Sequence, residues 1–219
     1  HLVGRGRRVI AIDNLVNGKR ENLAQLPADR ARLVTADVRR PDEFAAALHE
    51  AGTVFPLACL GVRHSLHSPR ENRDVNEGGT SAMLAAARAA GVSTFIHVSS
   101  SEVYGASGAG ALTEDAPTRP TTPYAEAKLA AEAHARAAHA AGGMRVVILR
   151  PFNAYGPRCD HEGDAGEVIP KFLLRALADR KLVVFGDGEQ TRDFTWVEDT
   201  AAGIVAAEIA PSASGQTIN

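Results

Sequence analysis

The chain has 219 residues, a length that allows one or two domains. Its 24 Lys and Arg residues against 26 Asp and Glu residues leave a formal charge of −2. This balance argues against a nucleic-acid binder, because such proteins usually carry a basic face. The hydrophobic fraction of 45% is typical of globular proteins, and no apolar run approaches the ~20 residues that span a bilayer. We therefore expect a globular cytoplasmic protein that binds neither nucleic acid nor membrane.

Short apolar runs alternate with helical segments through the first 150 residues. The runs are rich in β-branched and aromatic residues and lie at 8–13, 32–36, 53–58, 94–99 and 145–149. Helical patterns lie between them at 41–51, 75–90 and 123–141, and each is followed by a glycine. Continuous apolar runs are typical of strands buried on both faces of a parallel sheet. The alternation predicts βαβ units in an α/β fold, a Rossmann-like doubly wound parallel sheet.

The pattern changes after Pro151, where residues 152–166 are rich in Gly, Asp and Asn. A helix at 167–179, a short strand at 182–185 and a helix at 198–209 are predicted beyond that point. We therefore expect a dinucleotide-binding domain over 1–150 and a smaller, truncated substrate-binding lobe over 151–219. Both ends of the chain fall inside predicted elements, so we expect a piece of a longer protein.

The strongest chemical pattern joins SSSEVYG at 99–105 with PYAEAK at 123–128. Tyr124 and Lys128 lie four positions apart, so on a helix they share one face. A nearby ammonium favours the phenolate and lowers a tyrosine pKa from its reference of about 10, which suits a general acid and base. Ser100, at the end of the preceding strand, can hold the same substrate hydroxyl. The pattern predicts the Ser-Tyr-Lys arrangement of hydride-transfer enzymes; the alternative is a chance YxxxK on a surface helix.

A second signal is Asp13, which ends the first apolar run. In a dinucleotide fold an acid at this place hydrogen-bonds the adenine-side ribose, which favours NAD over NADP. The alternative is an ordinary turn or cap aspartate. The glycine-rich phosphate loop that would precede this acid by ~20 residues is not in the sequence.

Other candidates carry less chemistry. His64 and His67 are residue types that bind metals, but no third ligand is spaced to join them. The segment CDHEGD at 159–164 is predicted to be a solvated loop. Cys59 lies in an apolar stretch and is predicted to be a packed thiol. Cys159 lies too far along the chain to form a CxxC pair with Cys59. We therefore expect no metal.

Taken together, these segments resemble the NAD-dependent epimerase/dehydratase family of extended short-chain dehydrogenase/reductases, which act on nucleotide sugars. The similar segments are IDNLVNGKREN at 12–22, TADVRRPD at 35–42, VFPLACLG at 54–61, VNEGGT at 75–80 and PFNAYGPR at 151–158. The resemblance implies NAD contacts, besides those of Tyr124 and Lys128, at Asp13, Asn14, Asn17, Gly18, Asp37, Val38, Leu57, Ala58, Asn76 and Phe152.

The resemblance also implies a nucleotide-sugar site and a homodimer. Asn153 matches a diphosphate contact, Arg192 matches the family's diphosphate-binding arginine, and Lys171 and Phe172 lie in a segment matching the surroundings of the nucleotide base. An arginine fork suits two phosphates, although a surface ion pair with Asp193 is the alternative. In the family, the helices matching 75–90 and 123–141 pack against a second subunit.

The implied activity is 4-epimerisation of a UDP-hexose. Tyr124 would take the proton of the sugar 4-hydroxyl, Ser100 would hold the same oxygen, and hydride would pass to NAD to give a 4-keto sugar. Glu102 keeps two alternatives open, because UDP-glucuronate decarboxylases often have Ser-Glu at 101–102 and 4,6-dehydratases have Asp-Glu. A non-catalytic NAD-binding regulator is a further alternative, which the presence of Ser100, Tyr124 and Lys128 argues against.

Overall fold

The computed structural model describes residues 1–106, 110–161 and 166–219. Its strands are β1 (Val9–Asp13), β2 (Ala31–Thr35), β3 (Thr53–Val54), β4 (Thr94–Val98), β5 (Arg145–Leu149), β6 (Asn153–Tyr155), β7 (Phe194–Trp196) and β8 (Thr217–Ile218). Its α-helices are α1 (Ala45–Leu48), α2 (Val62–His67), α3 (Pro69–Arg73), α4 (Gly79–Ala89), α5 (Pro123–Ala140), α6 (Val168–Leu177) and α7 (Val197–Ile209). Strands and helices therefore alternate along most of the chain.

The strands pair in parallel throughout the described ranges. The main sheet has the order β3-β4-β5-β8, and two further sheets pair β1 with β2 and β6 with β7. Parallel neighbours need crossover connections, which the intervening helices provide. Because β8 pairs with β5, residues from the predicted second lobe return to the main sheet. The division at residue 150 remains a prediction.

Helices cover both faces of the main sheet. Phe95 and Ile148 point to one face and form a core with residues of α4 and α5. Ile96 and Val147 point to the other face and pack with Ala207 of α7. This alternation is that of strands buried on both sides. The arrangement confirms the predicted α/β fold class.

Three predicted elements differ from the structure. The strand predicted at 53–58 ends at Val54, two residues before Pro56, whose missing N–H cannot join a sheet ladder. The helix predicted at 41–51 is broken at Phe44 (φ −131°, ψ −1°), whose side chain is anchored in the core. The strand predicted at 182–185 is wrong: these residues form a loop with exposed side chains, among them Phe185, because they do not pair with a sheet.

The helix predicted at 75–90 begins with a π-helical turn over Asp74–Gly78 and continues as α4. The wider turn carries Asn76, which is buried. Such turns are frequent at functional sites.

Candidate active site

A cavity of about 240 Å³ opens at the carboxyl ends of β4 and β5. This edge of a parallel sheet is where ligands bind in open α/β folds. Seven of the residues singled out in the sequence line it: Leu57, Ser100, Glu102, Tyr124, Lys128, Phe152 and Asn153. The lining also includes Cys59 and Ser99, to which the sequence assigned no role at the site.

The start of α5 positions Tyr124 and Lys128. The Thr122 hydroxyl caps the helix by accepting from the Ala125 N–H at 3.2 Å, and Pro123 occupies the first helical position. The Lys128 ammonium lies 5.8 Å from the centroid of the Tyr124 ring and donates to the Val98 carbonyl at 3.0 Å. The helix therefore holds a buried cation beside the tyrosine, as the spacing of four predicts.

Ser100 and Glu102 lie on the segment that follows β4. Ser100 is extended, and its hydroxyl caps the 3₁₀ turn Ser101–Tyr104 by accepting from the Glu102 N–H at 3.2 Å. The neighbouring Ser99 hydroxyl points away into the protein and donates to Glu132 at 2.6 Å. The turn thus brings the Ser100 hydroxyl and the Glu102 residue into the cavity wall next to Tyr124.

The pKa of Tyr124 is raised well above its ordinary value, which is opposite to the direction expected from its spacing to Lys128. Burial is the main cause, and negative charge at Cys59 or Glu102 acts in the same direction. Hydrogen bonding to Ser100 favours the phenolate but is outweighed. A further positive charge beside the ring is therefore needed for Tyr124 to ionise near neutral pH.

A second group of the predicted residues gathers at the carboxyl ends of β1 and β2. The Asp13 carboxylate accepts from the Leu15 N–H at 2.6 Å, and a Cβ on Gly18 would lie 2.4 Å from its Oδ2, so only glycine fits there. Asp37 is bound by Arg39 at 2.6 Å. Arg39 and the side chain of Asn14 hold the pKa of Asp37 well below its usual range, against the effect of burial. This cluster could hold the hydroxyls of a ribose.

The remaining residues of this group fall on either side of it. Asn17 is exposed in the turn before Gly18. Val38 packs against Gly79 at the start of α4, where a Cβ would lie 2.7 Å from the valine. The close contact ties the end of β2 to the helix that follows Asn76.

Two buried asparagines hold the loop after β3, which carries Leu57 and Cys59. Asn76 accepts from the Leu60 N–H at 3.0 Å and donates to the Leu60 carbonyl at 2.9 Å. Asn72 donates to the same carbonyl at 2.9 Å and accepts from Asn76 at 2.8 Å. Asn76 therefore lies near the predicted cofactor path, but its side chain binds the loop backbone.

The other predicted binding residues lie outside the cavity lining. Arg192 is exposed and donates to the Thr191 carbonyl at 2.7 Å. Lys171 and Phe172 are half-buried on α6. Ala58 is exposed next to Leu57. Roles for these four residues remain predictions.

The described residues include no group of three or more His, Cys, Asp or Glu side chains that could hold a metal ion. His64 instead lies 3.4 Å from the Glu71 carboxylate. Of the segment 159–164, residues 162–164 lie outside the described ranges. Across those same ranges, no helix has the length and apolar character required to cross a membrane.

Comparison with known proteins decides the family. A model described as the NAD dependent epimerase/dehydratase family matches residues 1–219. The chain belongs to this family. The resemblance read from the sequence is therefore confirmed.

Relatives within the family have different activities. UDP-glucose 4-epimerase of Mycolicibacterium smegmatis is 35% identical, over 100% of this chain and 70% of that protein. UDP-glucuronic acid decarboxylase 1 of Arabidopsis thaliana is 36% identical, over 94% of this chain and 47% of that protein. The solved dTDP-glucose 4,6-dehydratase of Streptomyces venezuelae with NAD bound is 34% identical with a TM-score of 0.89, over 96% of this chain and 65% of that one. The chain thus spans between about half and 70% of the length of these relatives.

Sequence reasoning missed Glu132, Arg150 and Asn72, which bind the segments that form the cavity. Glu132 carries a signal that could have found it, because it follows Lys128 by four positions and shares its helix face. Asn72 has the same relation to Asn76. Arg150 carries no such signal, since it is recognised only through its partner.

Proposed function

We propose that this chain forms the catalytic core of an NAD-dependent nucleotide-sugar epimerase that acts on a UDP-hexose at carbon 4. The observation that carries the proposal is the convergence of Ser100, Tyr124 and Lys128 on one cavity at the carboxyl edge of the sheet. The 35% identity to a UDP-glucose 4-epimerase over the whole chain supports a reaction on a UDP-sugar, a substrate class shared by the 36% identical UDP-glucuronic acid decarboxylase.

The residues present fit NAD. Asp13 ends β1 and offers its carboxylate beside Gly18, where the lack of a side chain lets the turn approach closely. An acid at this place binds ribose hydroxyls and repels a 2′-phosphate. The nicotinamide end of NAD would lie in the cavity, where Leu57 and Phe152 offer apolar contacts next to Tyr124 and Lys128. NAD, when bound, supplies a hydride acceptor and a positively charged ring.

Each residue of the trio has a distinct task. Tyr124 accepts the proton of the sugar 4-hydroxyl as a general base; the hydride of carbon 4 would pass to NAD, which would leave a 4-keto sugar. Ser100 donates a hydrogen bond to the same oxygen. Lys128 favours the phenolate of Tyr124 because its ammonium lies beside the ring. The hydride would return from NAD to the opposite face of carbon 4, and Tyr124 would return its proton to the same oxygen, which would give the epimer and restore the phenolate of Tyr124.

Glu102 supports a second candidate outcome. It lines the same cavity as Tyr124, where a carboxylate can move a proton to or from the keto sugar. A UDP-glucuronate decarboxylase would lose carbon dioxide from the 4-keto sugar, and a nucleotide-sugar 4,6-dehydratase would lose water from it, before hydride returns. The convergence of the trio argues against a non-catalytic NAD-binding regulator.

We further propose a homodimer built on α4 and α5, in the cytoplasm. The two helices pack side by side and expose alanines, among them Ala85 and Ala133, which allow helices to approach closely. Light scattering of the purified protein tests the dimer, and a monomer at micromolar concentration would refute it.

The proposed compartment rests on the cysteines. Cys59 and Cys159 are both free thiols, which is typical of a reducing compartment.

The function is tested with the protein, NAD and a panel of UDP-sugars, by absorbance of NADH, mass of the product and the configuration of its carbon 4 from NMR. A product of unchanged mass with inverted carbon 4 supports the epimerase, whereas loss of carbon dioxide or water moves the assignment to the second candidate. We expect Tyr124→Phe to lower the rate at least about 100-fold, because it removes the general base.

Tyr155→Phe is the matched control, since it makes the same change on β6, where Tyr155 packs edge-on against Phe194 and Trp196. It should retain wild-type activity. Binding of NAD without any substrate-dependent NADH or product would indicate the regulator and refute the enzyme.

A further inference from the structure

Four segments line the cavity, and a buried carboxylate on one of them, α5, binds Ser99 in a second and Arg150 immediately before a third. The segments are the loop after β3, residues 98–102 at the end of β4, the start of α5, and residues 151–154 after β5. Glu132 lies on α5, two turns beyond Tyr124, and is 0% exposed. It does not line the cavity itself, so its effect on the site must act through the groups that it binds.

Both oxygens of Glu132 are fully used. Oε1 accepts from the Ser99 hydroxyl at 2.6 Å and from the Arg150 Nε at 2.8 Å. Oε2 accepts from the Arg150 guanidinium at 2.7 Å and from Arg136 at 2.8 Å. Burial alone would raise the pKa of Glu132, but these hydrogen bonds hold it below its ordinary value. The side chain is therefore an ionised carboxylate with four donors.

The network also reaches the far end of the segment after β4. Arg150 donates to the Tyr104 hydroxyl at 2.9 Å and lies 4.8 Å above the Tyr104 ring. Tyr104 in turn donates to the Asn219 side chain at 2.6 Å. The 99–104 segment is therefore tied to the Glu132–Arg150 pair at its first residue, Ser99, and at its last, Tyr104. Ser100 and Glu102 lie between these two anchors.

A buried ion pair is a costly way to gain stability. Taking both charges out of water offsets much of their attraction, and apolar packing of similar volume is often as stable. Such a pair does fix the orientation of the side chains around it, because its four hydrogen bonds have defined geometry. On α5 the carboxylate lies one turn beyond Lys128, so it also fixes the rotation of the helix that carries Lys128 and Tyr124.

We propose that Glu132 is a positioning residue for the proposed reaction: through Ser99 and Arg150 it fixes the 99–104 segment so that Ser100 and Glu102 face Tyr124. The proposal rests on the proposed function for its kinetic consequence. The predicted effect of Glu132 on the 99–104 segment can be measured even if the protein turns over no nucleotide sugar.

The experiment compares four variants of the protein: Ser99→Ala, Glu132→Gln, the two combined, and Arg136→Ala as control. Ser99→Ala leaves the ion pair intact and removes one hydrogen bond to a charged group. We expect it to lower kcat about tenfold with little change in the KM for the nucleotide sugar, because binding contacts remain while the reacting geometry loosens. The double variant should be no slower than the slower single variant, because Ser99→Ala acts only through the Glu132 carboxylate, which Glu132→Gln already replaces.

Arg136→Ala removes a half-exposed donor from the same carboxylate and should stay within about twofold of the wild type. A purely structural role predicts something else: a lower melting temperature of Ser99→Ala with unchanged kcat, or effects of the two single changes that multiply. Either result overturns the proposal.

Hydrogen exchange separates this proposal from the function. The amides of Ser101 and Glu102 donate to the Pro151 carbonyl and the Ser100 hydroxyl. Peptides covering 99–104 should exchange faster in Ser99→Ala and not in Arg136→Ala. If the wild type turns over no nucleotide sugar, the proposed function fails, and this exchange pattern alone decides the positioning. Unchanged exchange would then refute it.

Discussion

His97 makes a testable prediction about stability at mildly acidic pH. It lies in the middle of β4, is 1% exposed, and neither ring nitrogen has a hydrogen-bond partner among the described residues. Burial lowers the pKa of His97 to about 3; the charge of Lys128 acts in the same direction, Glu132 opposes it, and Arg136 adds to the lowering. In the folded protein the ring is therefore neutral across the physiological range.

The direction of the pH effect on stability follows from comparing the folded and unfolded states. In the unfolded chain His97 takes up a proton with a pKa of about 6.5, whereas the folded chain resists protonation down to about 3. Between these values the unfolded state binds more protons, so the free energy of unfolding falls as pH falls, by up to about 1.4 kcal/mol per pH unit. From pH 7 to pH 5 the loss is about 2 kcal/mol, which is large against a typical total of about 5–15 kcal/mol.

The change to make is His97→Leu, which has similar volume and no polar atoms. Urea unfolding of both proteins at pH 7 and pH 5 gives the difference in their free energies of unfolding. We expect the variant to gain about 2 kcal/mol relative to the wild type on going to pH 5, since it no longer has a group to protonate. Effects of the pH change that the two proteins share cancel in this difference. A difference that is the same at both pH values would refute a buried, neutral His97.

Two further changes test single contacts. Gly105 has φ +70°, and a Cβ there would lie 1.8 Å from the Arg119 carbonyl, so Gly105→Ala should destabilise by about 2–5 kcal/mol in urea unfolding. Gly91→Ala, at φ +76° in open space, should cost only about 1 kcal/mol, and equal losses would contradict the close contact. Asn72→Leu should cost about 1–3 kcal/mol and weaken NAD binding in a titration, because the Leu60 carbonyl loses a donor and the loop loosens. NAD affinity equal to that of the wild type would exclude that role of the loop.

Elements with strong local signals were predicted from the sequence almost to the residue. β5 has the predicted bounds, and α5 ends one residue early, because Pro123 and Gly142 mark the limits of the helix independently of the rest of the fold. The carboxyl ends of the parallel strands then place Ser100 beside Tyr124 without further information. The fold class and the centre of the site were therefore accessible from local patterns.

The run at 182–185 shows where local patterns fail. Its composition is that of a strand, but a strand forms only where a neighbouring strand accepts its hydrogen bonds, and Phe185 is 77% exposed here. Arg192 is a similar case, since its match to a family position does not determine its direction, and its guanidinium binds the adjacent Thr191 carbonyl. Long-range partners, which no local window contains, decide both.

The direction of the Tyr124 pKa has the same cause. Spacing alone places Lys128 one turn from Tyr124 and predicts a lowered pKa, whereas the fold removes much of the water from the half-buried Tyr124 side chain and engages the ammonium with the Val98 carbonyl. Spacing identifies which charges lie close to a group, but the free energy of ionisation also depends on how much water remains around it, which is set by segments more than 20 positions away. Ser99, 33 positions from Glu132, is fixed by the same kind of contact. The trio can therefore be recognised from sequence, while the groups that determine its geometry and ionisation emerge only when the strands and α5 are brought together.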